Sequence, residues 1–90
     1  MTTASSTPVP TLIGSVQRAL RLLEAVGTNR DGAPATQLAR EAGLPLPTAY
    51  HLLRTLTHEG YLRRENGVFQ FGAAAERLMG DRALQNRRSV

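Results

Sequence analysis

Two amphipathic helical segments of this chain are separated by only three residues, GLP at 43–45. The first segment, 36–42, has apolar residues at helical spacing and ends at Gly43, a residue suited to the left-handed position after a helix. The second begins with prolines, which the first turn of a helix tolerates because its N–H groups have no partner within the helix. It runs to about Glu59. So short a linker forces a steep angle between the two helices, which is the geometry of a helix-turn-helix.

A longer helix is predicted ahead of this pair. Apolar residues recur at three- and four-residue spacing between Leu12 and Val26, which is the pattern of one face of an amphipathic helix. Gly27 ends the pattern, and residues 29–34 (NRDGAP) have the composition of a loop. The residues predicted to face the core from this helix are Val16, Ala19, Leu20, Leu23 and Val26.

A hairpin is predicted after the pair of helices. Residues 61–71 (YLRRENGVFQF) change from the helical period to a period of two. At their centre lies Asn66-Gly67, the dipeptide that best fits a two-residue type I′ turn. A turn of that length pairs Arg64 with Phe69, so these two side chains share one face of the hairpin.

The predicted order of elements is helix, helix, tight turn, helix, hairpin and helix. The fold class is therefore mainly α with a small β-hairpin: a winged helix-turn-helix, in which a three-helix core carries the hairpin as a wing and a C-terminal linker helix follows. The last helix is predicted to begin near Ala73 and to run through Met79, where Gly80 interrupts it. We expect a disordered tail at 1–11, one domain at 12–79, and the start of a linker helix or a tail at 80–90.

Composition restricts the class of protein further. The chain has 90 residues, no cysteine and a formal net charge of +4, and arginine takes the place of lysine throughout. Arginine suits phosphate oxygens and guanine edges, although an arginine-only composition also arises from GC-rich coding. The net positive charge favours a polyanionic partner. No apolar run is long enough to span a bilayer, and residues 1–11 lack the pattern of a signal peptide, so we expect a cytoplasmic protein with no membrane partner.

The sequence contains no pattern typical of an enzyme. His51 and His58 are separated by roughly 10 Å along a helix, which is too far for both to bind one metal ion. No acidic residue completes a metal-binding set beside them, and no nucleophile triad or glycine-rich phosphate loop occurs. Glu41 and Glu59 are isolated carboxylates. We therefore expect no catalysis, no metal and no cofactor.

The third helix has an outward face with a distinctive chemistry. Ala49, Leu52, Leu53 and Leu56 repeat at helical spacing and are predicted to face the core. The other positions carry hydroxyls, imidazoles, a phenol and one guanidinium, where a merely solvated face would usually carry Glu and Lys. Such a helix can enter a DNA major groove, and an arginine there can bind guanine, although solvent or a protein partner is an alternative. The predicted DNA contacts are Pro47, Thr48, Tyr50, His51, Arg54 and Thr55, and His58 lies on the same face.

The hairpin and the start of the second helix offer further contacts to phosphate. A basic wing can lie along a DNA backbone or in a minor groove, and a helix N-terminus directs N–H groups and a positive dipole end at an anion. The alternatives are a structural hairpin with solvated arginines, and an Arg64 whose stem packs on the core. The predicted contacts are Arg63, Arg64, Asn66 and Gly67 in the wing, Thr36 and Gln37 at the helix start, and Arg40.

The charge of the third helix argues for two copies on DNA. Arg54 is the single charged residue of 46–58, so this segment has a formal charge of only +1. With so few phosphate contacts from one copy, half-site recognition by a homodimer is the physical remedy. Sequence-specific binding of double-stranded DNA is therefore the predicted function. The alternative is a winged-helix module for protein interaction or dimerisation, without sequence-specific DNA binding.

Three segments of the chain together resemble the N-terminal DNA-binding domain of IclR-type bacterial transcriptional regulators: SVQRALRLLEAV at 15–26, QLAREAGLPLPTAYHLLRTL at 37–56, and EGYLRRENGVFQFG at 59–72. The resemblance implies a winged helix-turn-helix dimer on a palindromic operator, in a repressor or an activator. In that family the domain precedes an effector-binding domain, which is joined to it by a linker helix. A small-molecule effector is thus expected to act only through a domain outside this chain, which would be a fragment or a naturally short regulator.

The sequence departs from the family where the third helix begins. In place of the family's common Lys-Ser-Thr run it has Leu46, Pro47 and Thr48, and His51 stands where the family has an arginine. Thr48 and Arg54 keep the family pattern. Because the departures remove two positive charges and a hydroxyl, we expect recognition of the operator to depend more on Tyr50, on His51 and on DNA shape.

Overall fold

The order of helices and strands is the one predicted, and the winged helix-turn-helix fold is confirmed. The computed structural model describes the backbone of residues 11–88 and the side chains of residues 11–80. All but one residue of the tail predicted at 1–11 lie outside the described residues. In chain order the elements are α1 (Gly14–Gly27), α2 (Ala35–Ala42), α3 (Leu46–His58), β1 (Leu62–Glu65), β2 (Val68–Phe71) and α4 (Ala73–Arg88).

The turn between α2 and α3 has the geometry that its glycine predicts. Gly43 adopts the left-handed conformation, with a φ of 71°, and its N–H donates to the carbonyl of Arg40 at 3.2 Å. The N–H of Leu44 donates to the carbonyl of Ala39 at 2.8 Å. These bonds satisfy carbonyls at the end of α2, which would otherwise lack partners. Pro45 is extended, with φ and ψ of −61° and 144°, and α3 starts directly after it.

The hairpin has the predicted register and turn. Arg64 pairs with Phe69 in an antiparallel sheet, and Asn66 and Gly67 have φ values of 51° and 80°, as a type I′ turn requires. An additional anchor was not predicted: Phe69 also pairs with Ala33, in the loop after α1, through N–H···O bonds of 2.8 and 3.3 Å. The wing is therefore joined to the body of the domain along its second strand.

The core is assembled from all the elements between α1 and the wing. Alanines on α2 and α3 let these helices approach closely, and Phe69 covers one end of the core from the wing. Burying a leucine in such a core stabilises the fold by about 1.5–3 kcal/mol. Each of α1, α2, α3 and β1 contributes one fully buried leucine: Leu22, Leu38, Leu53 and Leu62.

The predicted core face of α1 is wrong in part. Val26 is buried as predicted, but Val16 and Leu20 each keep 54% of their surface exposed. The fully buried residue of α1 is Leu22, which was not assigned to that face. Apolar side chains occur on two sides of α1, and the buried core lies on only one of them. The second side is one wall of the apolar groove described below.

The predicted interruption of the last helix at Gly80 is wrong, whereas a helix continuing beyond it was the linker-helix alternative for 80–90. α4 begins at Ala73 as predicted, but it continues through Gly80 to Arg88. A single glycine costs a helix only about 1 kcal/mol, so it does not terminate one without a further signal. Ala75 packs against the core, whereas Leu78 and Met79 remain 64% and 46% exposed.

Candidate nucleic-acid interface

α3 divides into the two faces that its sequence predicts. Ala49 and Leu53 are fully buried, and Leu52 and Leu56 pack partly against the core. No carboxylate occurs in the helix, so its outward charge is entirely positive. The side chains predicted to contact DNA all reach the surface, with Thr48 half-buried and the others exposed. We call these residues the outer stripe: Pro47, Thr48, Tyr50, His51, Arg54 and Thr55.

Thr55 lies at the edge of the outer stripe. Its hydroxyl donates to the carbonyl of His51 at 3.2 Å, which leaves its oxygen able to accept but not to donate. The side chain also lines the apolar groove beside Leu52 and Leu56. Thr55 therefore stands between two surfaces, and its DNA contact stays a prediction.

The two wing arginines have different surroundings. Nη1 of Arg63 forms an ion pair of 2.6 Å with Oε1 of Glu65, and its Nε donates to the carbonyl of Phe71 at 3.2 Å. Arg64 lies on the opposite face of β1, with its guanidinium carbon 5.6 Å from the centre of the Phe69 ring. It is exposed, and the described residues give it no carboxylate partner. Arg64 is thus the wing arginine whose charge is not neutralised by a neighbour.

A notch lies between the second half of α3 and the wing. It has a volume of about 420 Å³, and two arginines line it, one from α3 and one from β1. Its other walls supply an imidazole, two hydroxyls and an aromatic ring. We call this feature the notch, and its lining residues are Tyr50, Arg54, Thr57, His58, Arg64 and Phe69.

Gln37, predicted to contact phosphate, is held by bonds within the chain. Its backbone N–H donates to the carbonyl of Pro34 at 3.1 Å. Its side-chain nitrogen donates to Oδ1 of Asn29 at 2.7 Å and to Oε2 of Glu41 at 3.0 Å. Both side-chain amide hydrogens are therefore used, and the geometry suits a residue that braces the start of α2.

Asn29, Gln37 and Glu41 form a polar network that joins the end of α1 to α2. Nδ2 of Asn29 donates to Oε1 of Glu41 at 2.9 Å and to the carbonyl of Ala25 at 2.7 Å. The hydrogen bonds from Gln37 and then from Asn29 lower the pKa of Glu41 below its ordinary value of 4.5, and the charge of Arg40 adds to this effect. The four-residue spacing of Gln37 and Glu41 was a signal for part of this network, whereas Asn29 joins it only through the fold.

The other predicted phosphate contacts are all exposed. Thr36 lies in the first turn of α2, and Arg40 lies in its last turn. Asn66 and Gly67 form the tip of the wing, where nothing lies within 4 Å of a Cβ placed on Gly67. These positions are accessible to a DNA backbone, and their contacts stay predictions.

A long apolar groove lies beside the outer stripe, on the side away from the notch. It has a volume of about 1100 Å³ and runs between α1, the second half of α3 and the start of α4. Its walls are almost entirely aliphatic and aromatic, which is unusual for the free surface of a domain this small. The large apolar side chains that both line the groove and remain exposed are Val16, Leu20, Leu78 and Met79.

Two other kinds of site were sought in the described part of the chain. Residues 11–80 contain no group of three His, Asp or Glu side chains that could hold a metal ion. Among the helices with described positions, none is long and apolar enough to cross a membrane.

Comparison with known proteins identifies the domain. Residues 15–66 match the IclR helix-turn-helix domain. The acetate operon repressor of Salmonella typhimurium is 36% identical over 86 residues, covering 93% of this chain and 31% of that protein. The transcriptional repressor IclR of Escherichia coli is 34% identical over 85 residues, covering 92% and 31%. An IclR family transcriptional regulator from Brucella abortus has a similar structure, with a TM-score of 0.69, 28% identity, and coverage of 76% of this chain and 27% of that one.

The fold, the outer stripe and these similarities define a winged helix-turn-helix domain that binds DNA sequence-specifically in transcription regulation. The chain belongs to the IclR family of regulators, at its helix-turn-helix domain. It spans 31% of the length of the curated relatives that it matches, both of which are named as repressors.

Proposed function

We propose that the chain binds a palindromic operator as a homodimer, with α3 of each copy in a major groove and the wing on the adjacent backbone. The observation that carries this proposal is the outer stripe, an exposed polar face with no carboxylate on a helix that begins directly after a tight turn. Side chains of this kind can satisfy the donor and acceptor pattern of base edges. Arg64 adds an unneutralised charge beside the stripe, as a phosphate contact requires.

Base readout falls to the first half of the outer stripe. Pro47 occupies the first turn of α3, and Thr48 and His51 follow it on the same side of the helix. The apolar Pro47 suits contact with a thymine methyl group, while the hydroxyl and the imidazole can hydrogen-bond to base edges. The remaining contacts, from Thr36, Arg40 and the tip of the wing, go to phosphate and fix the register of the domain on the duplex.

Dimerisation is supported by the apolar groove. A second copy that covers the groove would remove the exposed apolar side chains of α1 and α4 from water, which is favourable in proportion to the area buried. It would also double the phosphate contacts, of which one copy has few. The repressor names of the relatives support repression as the outcome of operator binding. The small-molecule effector that the resemblance implies would act through a further domain of a longer protein.

DNA selection from a random-sequence duplex pool tests the function directly. The 90-residue chain should enrich one motif made of two inverted half-sites, and should bind the enriched duplex saturably in a fluorescence-anisotropy titration. Titrations at about 50 and 200 mM salt should show a steep loss of affinity, because phosphate contacts release counterions. A Thr48→Val/His51→Ala variant should lose the preference for the enriched duplex. Equal binding of enriched and scrambled duplexes by the unaltered chain would exclude sequence-specific recognition.

A protein-interaction module is the second candidate, and the apolar groove is the observation that favours it. In that case substitutions in the groove would abolish function, while substitutions in the outer stripe would have no effect. The DNA selection separates the two, since an interaction module enriches no motif. Neither candidate involves catalysis, and both are consistent with a regulator that works in the cytoplasm.

A further inference from the structure

The notch has a charge that nothing in the described chain balances. Arg54 and Arg64 line it together, while Arg63–Glu65 is the one ion pair found among the described side chains. Glu65 lies with its partner Arg63 on the opposite face of β1, and Glu59 does not line the notch. Two guanidinium groups that share one opening repel each other unless an anion lies between them. The notch is thus suited to an anion.

Arg64 is held in place for such a contact. Its guanidinium lies over the ring of Phe69 at 5.6 Å, and Phe69 is only 5% exposed. The backbone of Phe69 is fixed by the bridge to Ala33. Because stacking uses the face of a guanidinium and leaves its N–H groups free at the edge, Arg64 can bind an oxygen anion without moving away from the ring.

The α3 side of the notch adds donors to the two arginines. His58, at the last residue of α3, and the phenol of Tyr50 can each donate a hydrogen bond to an anion. Thr57 cannot, because its hydroxyl donates to the carbonyl of Leu53 at 2.8 Å. The C-terminal end of a helix carries a partial charge of about −0.5, which opposes an anion there. The two full positive charges outweigh it.

We propose that the notch binds one backbone phosphate of the bound DNA, which Arg54, His58 and Arg64 hold jointly. We call this phosphate-binding site the seat. The proposal rests on DNA binding by this domain and adds His58 to the residues that contact DNA. It also assigns Arg54 to a phosphate, whereas the sequence suggested a guanine contact for it. One phosphate held between α3 and the wing would fix the angle at which α3 enters the major groove.

Single methylphosphonate substitutions in the enriched duplex test the seat, because each removes the charge of one phosphate. The loss of affinity at each modified position gives the methylphosphonate profile of a chain. For the unaltered chain, one position in each half-site should lose affinity about ten- to hundredfold, the loss expected for hydrogen bonds to a charged group. Arg64→Gln and His58→Ala should each lose affinity for the unmodified duplex. In each variant the added loss on modifying that one phosphate should be at least threefold smaller than in the unaltered chain, a difference of about 0.7 kcal/mol by the tenfold-per-1.4 kcal/mol conversion.

Two controls separate the seat from general charge effects. Glu76→Ala/Arg77→Ala removes two opposite exposed charges of α4, outside the notch, without changing the net charge, and should keep the methylphosphonate profile of the unaltered chain. Arg21→Ala removes one exposed positive charge from α1, away from the notch, and should weaken binding evenly along the duplex. Circular dichroism melting should show that Arg64→Gln remains folded, since its side chain is exposed.

The outcomes are distinct. If Arg64→Gln and His58→Ala lose sensitivity at the same phosphate, the seat is supported. If the two variants affect different phosphates, or leave the profile unchanged, the seat is refuted although DNA binding stands. If Arg54→Ala changes the preferred base and keeps the profile, Arg54 reads a base and the joint seat is wrong. Failure of the chain to bind any duplex saturably would overturn the DNA-binding function and the seat with it.

Discussion

Replacing Leu20 should weaken the proposed dimer while each copy of the chain stays folded. Leu20 lies on the uncovered side of α1 and keeps 54% of its surface exposed in one copy of the chain. Leu20→Ala should cost the single copy only about 1 kcal/mol, because the buried half of the side chain is lost and the slightly better helix propensity of alanine offsets part of that loss. If a second copy covers the apolar groove, however, the same substitution removes apolar contact from the interface.

The size of the effect follows from the exposure. Full burial of a leucine contributes about 1.5–3 kcal/mol, so burying the half that is still exposed contributes about 1 kcal/mol. A symmetric dimer contains the residue twice, which gives about 2 kcal/mol for the interface. This corresponds to a rise of roughly thirtyfold in the dimer dissociation constant. Leu20→Glu should abolish the dimer at any practical concentration, since it would bury an unpaired carboxylate.

Sedimentation equilibrium over a range of chain concentrations measures this constant. Arg21→Ala is the matched control, because Arg21 is the next residue of α1, is exposed, and does not line the groove. The control should keep the dissociation constant of the unaltered chain. Equal dissociation constants for Leu20→Ala and Arg21→Ala, with both chains folded, would refute the groove as the dimer interface. A monomeric unaltered chain at high concentration would refute it as well.

Three further predictions concern stability. Leu38→Ala should lower the free energy of unfolding by about 2–5 kcal/mol in urea titrations, because Leu38 is fully buried. Gly32→Ala should destabilise the fold more than Gly43→Ala, although both glycines have a positive φ. A Cβ at Gly32 would lie 2.7 Å from Cγ of Gln70, whereas nothing lies within 4 Å of a Cβ at Gly43. Equal shifts of the melting temperature in the two variants would contradict this. The pKa of Glu41 is lowered by folding, so its contribution to stability is present above pH 4.5 and is lost as the pH falls through the folded value. Unfolding curves of Glu41→Gln should lack this part of the acid loss, and identical acid curves for both chains would argue against the network.

The features predicted best from the sequence were those decided by local backbone geometry. Gly43 and Asn66-Gly67 each need a positive φ, which few residues adopt, so their identity predicts the turn without knowledge of the rest of the fold. The hairpin register followed from the turn length. Because these turns fix the directions of the elements, the winged helix-turn-helix fold followed as well.

The features predicted least well depend on which faces of the helices and strands pack against each other. Helical spacing shows that α1 has an apolar face, but it does not show which of two apolar sides the other helices cover. Leu20 fits the pattern better and is exposed, whereas Leu22 is buried. The candidate site was likewise predicted only in part. The period of two in β1 already placed Arg63 beside Glu65 and Arg64 on the other face, but only the fold brings Arg64 to the same notch as His58.

α3 connects the two surfaces of the domain. Arg54 lines the notch and Thr55, the next residue, lines the apolar groove, about 100° farther round the same helix. A partner copy in the groove and a phosphate in the notch would therefore act on one rigid element from two sides. The partner would set the separation of two α3 helices, which must match half-sites about one helical turn of DNA apart. The phosphate would set the angle of each helix in its own groove. Since both constraints apply to α3 itself, dimerisation would strengthen operator binding by orienting the outer stripe as well as by adding contacts.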